Sequence, residues 1–317
     1  MRPIRLLLPI MLLAIFTTSC TVDTVYQDDN TVNLNQLLTS YDLWYVNINQ
    51  TKGNGEVPFL QIAFTISFKG GVLYANNNLV GIGSTGNGLG IDVGYYDAYD
   101  DGVVEIDHDI DGVYDFEVYQ NGNNTIELYD RNSQTSYFLT GYQRNSFDYD
   151  YVFYDNIHYF LQEYEAWEKV YTSDYGAIND FDDENYLRFL PDGNGDTFQS
   201  SIDARGTSVN NLYWDYEGNY KVYDVSGDPY TKTLTLDYDY LGNDYFEITV
   251  IDDETIELYH PDSGTVYRFK GRGYISYMKG ETQAKGVQTT APRKRVKRTN
   301  ETMNITRKSE RKKINIS

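Results

Sequence analysis

Residues Thr125 to Gly141, TIELYDRNSQTSYFLTG, return 130 positions later as TIELYHPDSGTVYRFKG, Thr255 to Gly271. Nine of the seventeen positions are identical, among them Thr125/Thr255, Glu127/Glu257, Tyr129/Tyr259 and Tyr137/Tyr267. Any fold that accommodates this chain has to be built twice. Each copy alternates apolar and polar residues in IELY, breaks at DRNSQ or HPDSG, and resumes alternation in YFL or VYRF, the pattern of two strands around a polar turn. The doubling reaches further upstream, where Leu38, Tyr41 and Trp44 share an L-x-x-Y-x-x-W spacing with Leu161, Tyr164 and Trp167.

A chain of 317 residues suits two domains of ordinary size, and 40% apolar content with 32 Tyr and 14 Phe is enough to fill two cores. Tyr, Asp, Asn and Gly dominate, and long runs rich in Ala, Leu, Glu and Lys are missing, which predicts an all-β protein. The formal net charge of -21 divides unevenly: residues 1–278 hold 14 Lys+Arg against 44 Asp+Glu, net -30, whereas 279–317 hold 12 against 3, net +9. A body so acidic repels nucleic acid.

Met1 to Cys20 begins with Arg2 and Arg5, continues as an apolar run from Leu6 to Phe16, and ends in small polar residues before the only cysteine. The apolar run is shorter than the 18 or so residues of a membrane span and reads as a secretion signal. TTSC resembles a bacterial lipobox, with Thr17 where Leu is more usual. The resemblance implies cleavage before Cys20, acylation of that cysteine, and a cell-envelope lipoprotein held to the outer membrane, on the periplasmic face or the cell surface. Several acyl chains at about 0.8 kcal/mol per buried CH₂ give a stable anchor. With one cysteine the chain forms no internal disulfide, so packing must hold it together.

The expected organisation is a signal peptide over 1–20, a tether over 21–32, a β domain over 33–145, a helix plus a second β domain over 146–277, and a disordered basic tail over 278–317. Within the first domain, FTISFKGGVLYA predicts a hairpin turning at Lys69-Gly70-Gly71, followed by strands in GIDVGYYDAY, VVEIDH and VYDFEVY. In the second, YLRFLPDGNGDTFQS predicts a hairpin turning at Pro191-Asp192-Gly193, followed by strands within NLYWDYEGNYKVYD, TLTLDYDYL and YFEITVI. Between the halves, Phe153 to Trp167 carries Phe153, Ile157, Phe160, Leu161 and Tyr164 on one helical stripe and predicts a helix covering an end of the second barrel.

A leading Trp on the first strand, a meander of six to eight antiparallel strands and a closing IELY hairpin resemble the lipocalin-like domains of Bacteroidota lipoproteins, here in tandem over roughly residues 33–275. The Trp lacks the G-x-W context of true lipocalins, since Asp42 and Glu165 stand where Gly would be. The resemblance implies two small antiparallel meander barrels whose inward side chains fill the lumen or leave a pocket. Flavobacterial lipoproteins of similar sequence bear the label nicotinic acid mononucleotide adenylyltransferase, an activity that needs an H-x-G-H motif on a Rossmann-like fold. His108, His158 and His260 are the only histidines, none so spaced, and no βα alternation accompanies them.

Three features could carry chemistry. Gly81 to Gly86 spells G-x-G-x-x-G, but it runs into a strand-like IDVGYY rather than a helix, which makes it a loop at a barrel mouth. The run Asp107-His108-Asp109-Ile110-Asp111-Gly112 has the alternate carboxylates of a calcium loop, with Asp107, Asp109 and Asp111 as direct ligands and Asp115 as an outer partner. Against an EF-hand stand Val118 at the twelfth position and strand-like flanks; the alternative is a solvated strand face ending in a turn. The tyrosines form either the half-buried face of a sheet or a stacking surface for sugars and other flat ligands.

These readings point to a non-enzymatic envelope lipoprotein that binds a small-molecule or glycan ligand, or an envelope partner, with no cofactor other than the tentative Ca²⁺. Its basic tail would contact anionic lipid. The alternatives are an enzyme acting on glycans or nucleotides through carboxylates or Ca²⁺, and a purely structural surface protein. Palmitate labelling is expected to require Cys20; unchanged labelling of Cys20→Ala would remove the anchor.

Overall fold

Strands that alternate inward and outward side chains can bury one face only by curling that face onto itself, and here both halves do so completely. The computed structural model describes residues 33–82, 89–192, 195–277, 289–290, 293–298 and 301–303. The chain divides into 1–33 and 34–317, and both barrels lie in the second unit. Cys20, the tether and Gly83 to Gly86 lie outside the described residues.

After a short helix α1 (Leu34–Thr39), the first barrel is a meander of β1 (Leu43–Lys52), β2 (Thr65–Lys69), β3 (Val72–Asn76), β4 (Ile91–Ala98), β5 (Val103–His108), β6 (Gly112–Gln120), β7 (Thr125–Asp130) and β8 (Thr135–Tyr142). Each strand pairs antiparallel with the next, and β8 returns to pair with β1 through Trp44↔Gly141 and Val46↔Leu139, so the sheet has no edge. A second short helix, α2 (Pro58–Ile62), lies in the β1–β2 connection. The hairpin predicted at Gly70-Gly71 is present, with φ of 61° and 82°, the left-handed pair that two-residue hairpins require.

The second barrel comprises β9 (Tyr164–Thr172), β10 (Tyr186–Asp192), β11 (Gly195–Ser201), β12 (Tyr216–Val225), β13 (Asp228–Tyr238), β14 (Gly242–Asp252), β15 (Thr255–His260) and β16 (Thr265–Tyr274). It closes in the same register, with Trp167↔Gly271 between β9 and β16. The protein is therefore two closed eight-stranded antiparallel barrels in tandem, and the repeated sequence is the β7–β8 and β15–β16 hairpin. Leu128↔Tyr137 in the first matches Leu258↔Tyr267 in the second. Gln134, at φ 53°, holds the left-handed position that Gly264 fills at φ 76° in the other copy.

The L-x-x-Y-x-x-W spacing fastens each closure. The Trp44 indole N–H donates to Leu38 O at 2.8 Å, and that of Trp167 to Leu161 O at 2.9 Å, so a buried ring satisfies a carbonyl at the end of the preceding helix. Tyr41 packs edge-on to Trp44 at 5.0 Å, and Tyr164 to Trp167 at 4.8 Å. Both tyrosines lie on a glycine of the closing strand: a Cβ at Gly141 would fall 2.5 Å from the Tyr41 ring, and one at Gly271 would fall 2.5 Å from Tyr164.

The single helix expected over Phe153 to Trp167 is instead two, α3 (Tyr149–Asp155) and α4 (Ile157–Leu161), and residues from Tyr164 onward belong to β9. Asn156 breaks the run, with φ -123° and ψ 26°, because its amide is spent on a junction: Nδ2 donates to Val152 O and to the Tyr45 hydroxyl. Strand pairing overrides helical periodicity at Trp167, which has to meet Gly271. On β1, Trp44 and Val46 face the first lumen, while Leu43 and Tyr45 on the opposite side join a cluster with Phe153, Phe160 and the second barrel's core. Glu163, fully buried, accepts from Leu79 N and Val80 N at 2.8 Å each and ties the β3–β4 connection to the end of α4.

Gly271→Ala is expected to destabilise the protein by about 1–3 kcal/mol, the usual cost of overpacking a filled site. Equilibrium denaturation checks this, and a neutral change would show that Tyr164 is not held against the closing strand.

Candidate functional site

Small eight-stranded barrels either fill the lumen with side chains or hold one small ligand there. Both lumens are packed with side chains, and in each the connection after the first strand folds over as a plug. In the first barrel, Phe59 of α2 stacks on His108 at 4.9 Å, and Val57 N donates to the Tyr137 hydroxyl at 2.5 Å. In the second, Phe181 lies against Phe246 and Tyr267 at 4.6 and 5.1 Å, and the Tyr267 hydroxyl donates to Asp182 Oδ1 at 2.6 Å. The tyrosine shared by both copies of the repeat is thus the post to which each plug is tied. Burial pushes the Tyr137 hydroxyl up to about 12.

The second plug is also held by charge. Lys169, almost fully buried, donates to Phe181 O at 2.8 Å and Asp182 O at 3.0 Å, with its ammonium 4.9 Å from the Tyr267 ring centre. Burial lowers it to about 8, against the pull of Glu184 and Asp182. Glu184, buried nearby, accepts the Tyr238 hydroxyl at both oxygens, at 2.8 and 2.9 Å. These groups satisfy one another, which is the arrangement of a buried structural network.

The aspartates singled out for calcium sit on the β5–β6 hairpin and do not converge. Asp107 pairs with Val113, and Asp115 with Glu105, on the solvent side of the sheet; Asp109 is exposed in the turn. Asp111 turns back to His108, its Oδ2 3.4 Å from Nδ1, and its backbone N–H donates to the same nitrogen at 3.2 Å. Among the described residues no three His, Cys, Asp or Glu side chains form a group that could hold a metal ion.

A cleft of about 580 Å³ runs between α3 and the β12–β13 hairpin, with Tyr151, Tyr154 and Tyr230 on its walls and Asp155, Asp224 and Asp228 among its polar groups. The α3 wall is fixed from the barrels: Asn47 Nδ2 donates to the Tyr151 hydroxyl at 2.9 Å, Val250 N to that of Tyr154 at 3.1 Å, and the Tyr45 hydroxyl to Asp155 Oδ2 at 2.6 Å. Across the cleft Lys232 Nζ meets Asp224 Oδ1 at 2.5 Å. Asp228 accepts from Tyr230 N and Thr231 Oγ1 and sets the turn, leaving the Tyr230 ring about half exposed.

The basic tail departs from expectation. Of the segment expected to be disordered, residues 293–298, RKRVKR, instead form a packed strap, and Arg295 is 1% exposed. Its N–H donates to Gln61 O at 2.7 Å, Nη1 donates to Val46 O and Ala63 O at 2.9 and 2.7 Å, and Nη2 to Asn156 Oδ1 at 3.0 Å. The guanidinium lies over Phe64, 4.4 Å from the ring centre. Arg298 grips both oxygens of Asp196 at 2.5 and 3.1 Å, Arg293 donates to Gln162 Oε1 at 2.5 Å, and Lys297 Nζ donates to Thr51 O. Burial pushes the Asp196 carboxyl up, but His158 and Arg298 outweigh it and hold it well below the usual carboxylate range. Downstream, β17 (Thr302–Met303) pairs parallel with β12 at Asp224 and Val225, which brings Thr302 to the cleft wall.

The physical reason is an unfinished ladder. Beyond Val46, β1 and β2 diverge around the plug, which leaves carbonyls of both segments without strand partners, and Arg295 supplies the donors. Sequence reasoning missed this because charge and composition describe a segment's solubility and not its complement. The one available signal was the spacing Arg293, Arg295, Arg298 in a chain whose body is so acidic. The cleft was missed because its residues come from three separate stretches. A scan against protein-family models and a search of curated proteins found no match for this chain.

Burial lifts Glu163 and Glu184 from the ordinary carboxylate value of 4.5 to about 7 each, against the hydrogen bonds they accept. The folded state then holds these protons longer than the unfolded chain does. Their stabilising contribution is complete below 4.5 and is lost as the pH rises through about 7. Between about pH 5 and pH 8 the melting temperature is expected to change less favourably with rising pH in the parent than in Glu184→Gln. Parallel pH profiles would show that Glu184 is not raised.

Proposed function

We propose that this protein is a cell-envelope lipoprotein, anchored through Cys20, that binds a short glycan segment without chemically changing it. The observation that carries the reading is the cleft between α3 and the β12–β13 hairpin. Both lumens are plugged, and this space of about 580 Å³ is of the size that takes a small ligand. The half-exposed Tyr230 ring offers a flat apolar face for the C–H side of a sugar ring. Tyr151, Tyr154 and Asp155 are held in place by Asn47, Val250 and Tyr45, so little order has to be acquired on binding.

Charge narrows the ligand class. Three carboxylates against Lys232, itself paired with Asp224, favour a neutral or amine-bearing sugar over an acidic one. The lipid anchor rests on TTSC at Cys20 and would keep such a site at the membrane surface, where envelope glycans are met.

Calorimetric titration of the soluble chain with amino-sugar oligosaccharides is expected to show saturable binding, weakened about fivefold or more by Tyr230→Ala, since a stacked ring is worth on the order of 1 kcal/mol. Equal affinity of parent and variant, or binding by neither, would overturn the assignment of the cleft.

A further inference from the structure

The strap is held as a bound peptide is held. Its backbone is read by protein groups: Arg295 N donates to Gln61 O, Val296 N to the Tyr159 hydroxyl at 2.5 Å, and Arg298 N to Asn49 Oδ1 at 3.0 Å. Two of its arginines share the Tyr159 ring, Arg293 at 4.6 Å and Arg298 at 5.3 Å, and the third enters a site of its own. Arg295 is buried over Phe64, and Arg298 is also held bidentate by Asp196. Lys294 and Val296, between them, point outward, with Lys294 and Val296 both exposed. Planar forks, ring faces and fixed carbonyls select arginine over lysine at these positions. Among the described residues the hydrogen-bond and ring partners of the strap lie before residue 200, whereas the segment itself comes almost a hundred residues later.

We propose that the groove between the two barrels is a recognition site for an extended basic peptide of the form Arg-x-Arg-x-x-Arg, which this chain occupies in cis with residues 293–298. The groove takes such a segment from another protein when its own is displaced, so the strap competes with a basic partner for one site. The pattern of arginine, and not positive charge in general, decides what enters: the Arg295 site requires three acceptors to be met at once, at Val46 O, Ala63 O and Asn156 Oδ1.

The test uses the chain from Leu34 onward with its strap in place, and a fluorescent peptide of residues 291–302. The double variant Arg295→Ala/Arg298→Ala weakens the occupant and leaves the groove intact. It is expected to bind the peptide at least about tenfold more tightly than the parent, which holds its own strap. Adding Asp196→Asn to that variant is expected to abolish most of the gain, and a peptide with the same residues in scrambled order is expected to bind the double variant at least about tenfold more weakly than the native order. Equal binding by parent and double variant, or equal binding of native and scrambled peptides, overturns the proposal. Circular dichroism and melting establish that the double variant is folded. If it is not, Arg298→Ala alone, with Arg295 still seated, is measured: tighter binding than the parent supports the site, and unchanged binding overturns it.

Discussion

A closed meander needs its last strand to find its first, and in both barrels one constellation decides that meeting. The indole of Trp44 or Trp167 closes the end of a short helix by taking up a carbonyl, and thereby fixes where the first strand begins. A tyrosine three residues earlier stacks on the indole and covers a glycine of the closing strand, where no side chain would fit. Register follows from that contact, and in a barrel with alternating faces a slip of one residue would turn every core side chain outward. The lumen tyrosines Tyr137 and Tyr267, the plugs they hold and the buried network around Lys169 all presuppose this registration.

The two copies face the same difficulty and resolve it differently. Where the second strand parts from the first to let the plug in, backbone carbonyls lose their ladder partners. In the second barrel the cation acts from inside and on the plug itself, with Lys169 donating to Phe181 O and Asp182 O. At the equivalent place the first barrel has Val46, which can donate nothing from its side chain, and the missing donors arrive from outside with Arg295. Desolvation opposes both cations, lowering Lys169 and Arg295 alike, and several acceptors with aromatic faces offset it in each case.

Much of this architecture was legible in the sequence. Alternation and turn residues located the hairpins at Gly70-Gly71 and in the two IELY copies, and the repeat implied two equivalent closures. What periodicity could not distinguish was the helical stripe of Phe153 to Trp167 from a helix followed by a strand, because Tyr164 and Trp167 satisfy both patterns and only their partners on β16 decide. The D-x-D-x-D-G run looked like a cation loop in one dimension, yet strand alternation sends Asp107 outward and the turn sends Asp111 to His108. The cleft and the strap were invisible for a common reason: each depends on complementarity between residues more than 65 positions apart, such as Tyr151 with Tyr230 or Asp196 with Arg298.

The placement of Arg295 bears on how the protein comes into being. Chains emerge from the ribosome from the N-terminal end, and leading domains generally fold first. The carbonyls of Val46 and Ala63 are translated 249 and 232 residues before the guanidinium that completes them. A first barrel that closes before the strap has been made keeps those acceptors hydrated until Arg295 reaches them. Maturation of the leading half is thus coupled to completion of the trailing one, and the strap works as a late seal on a barrel made long before it.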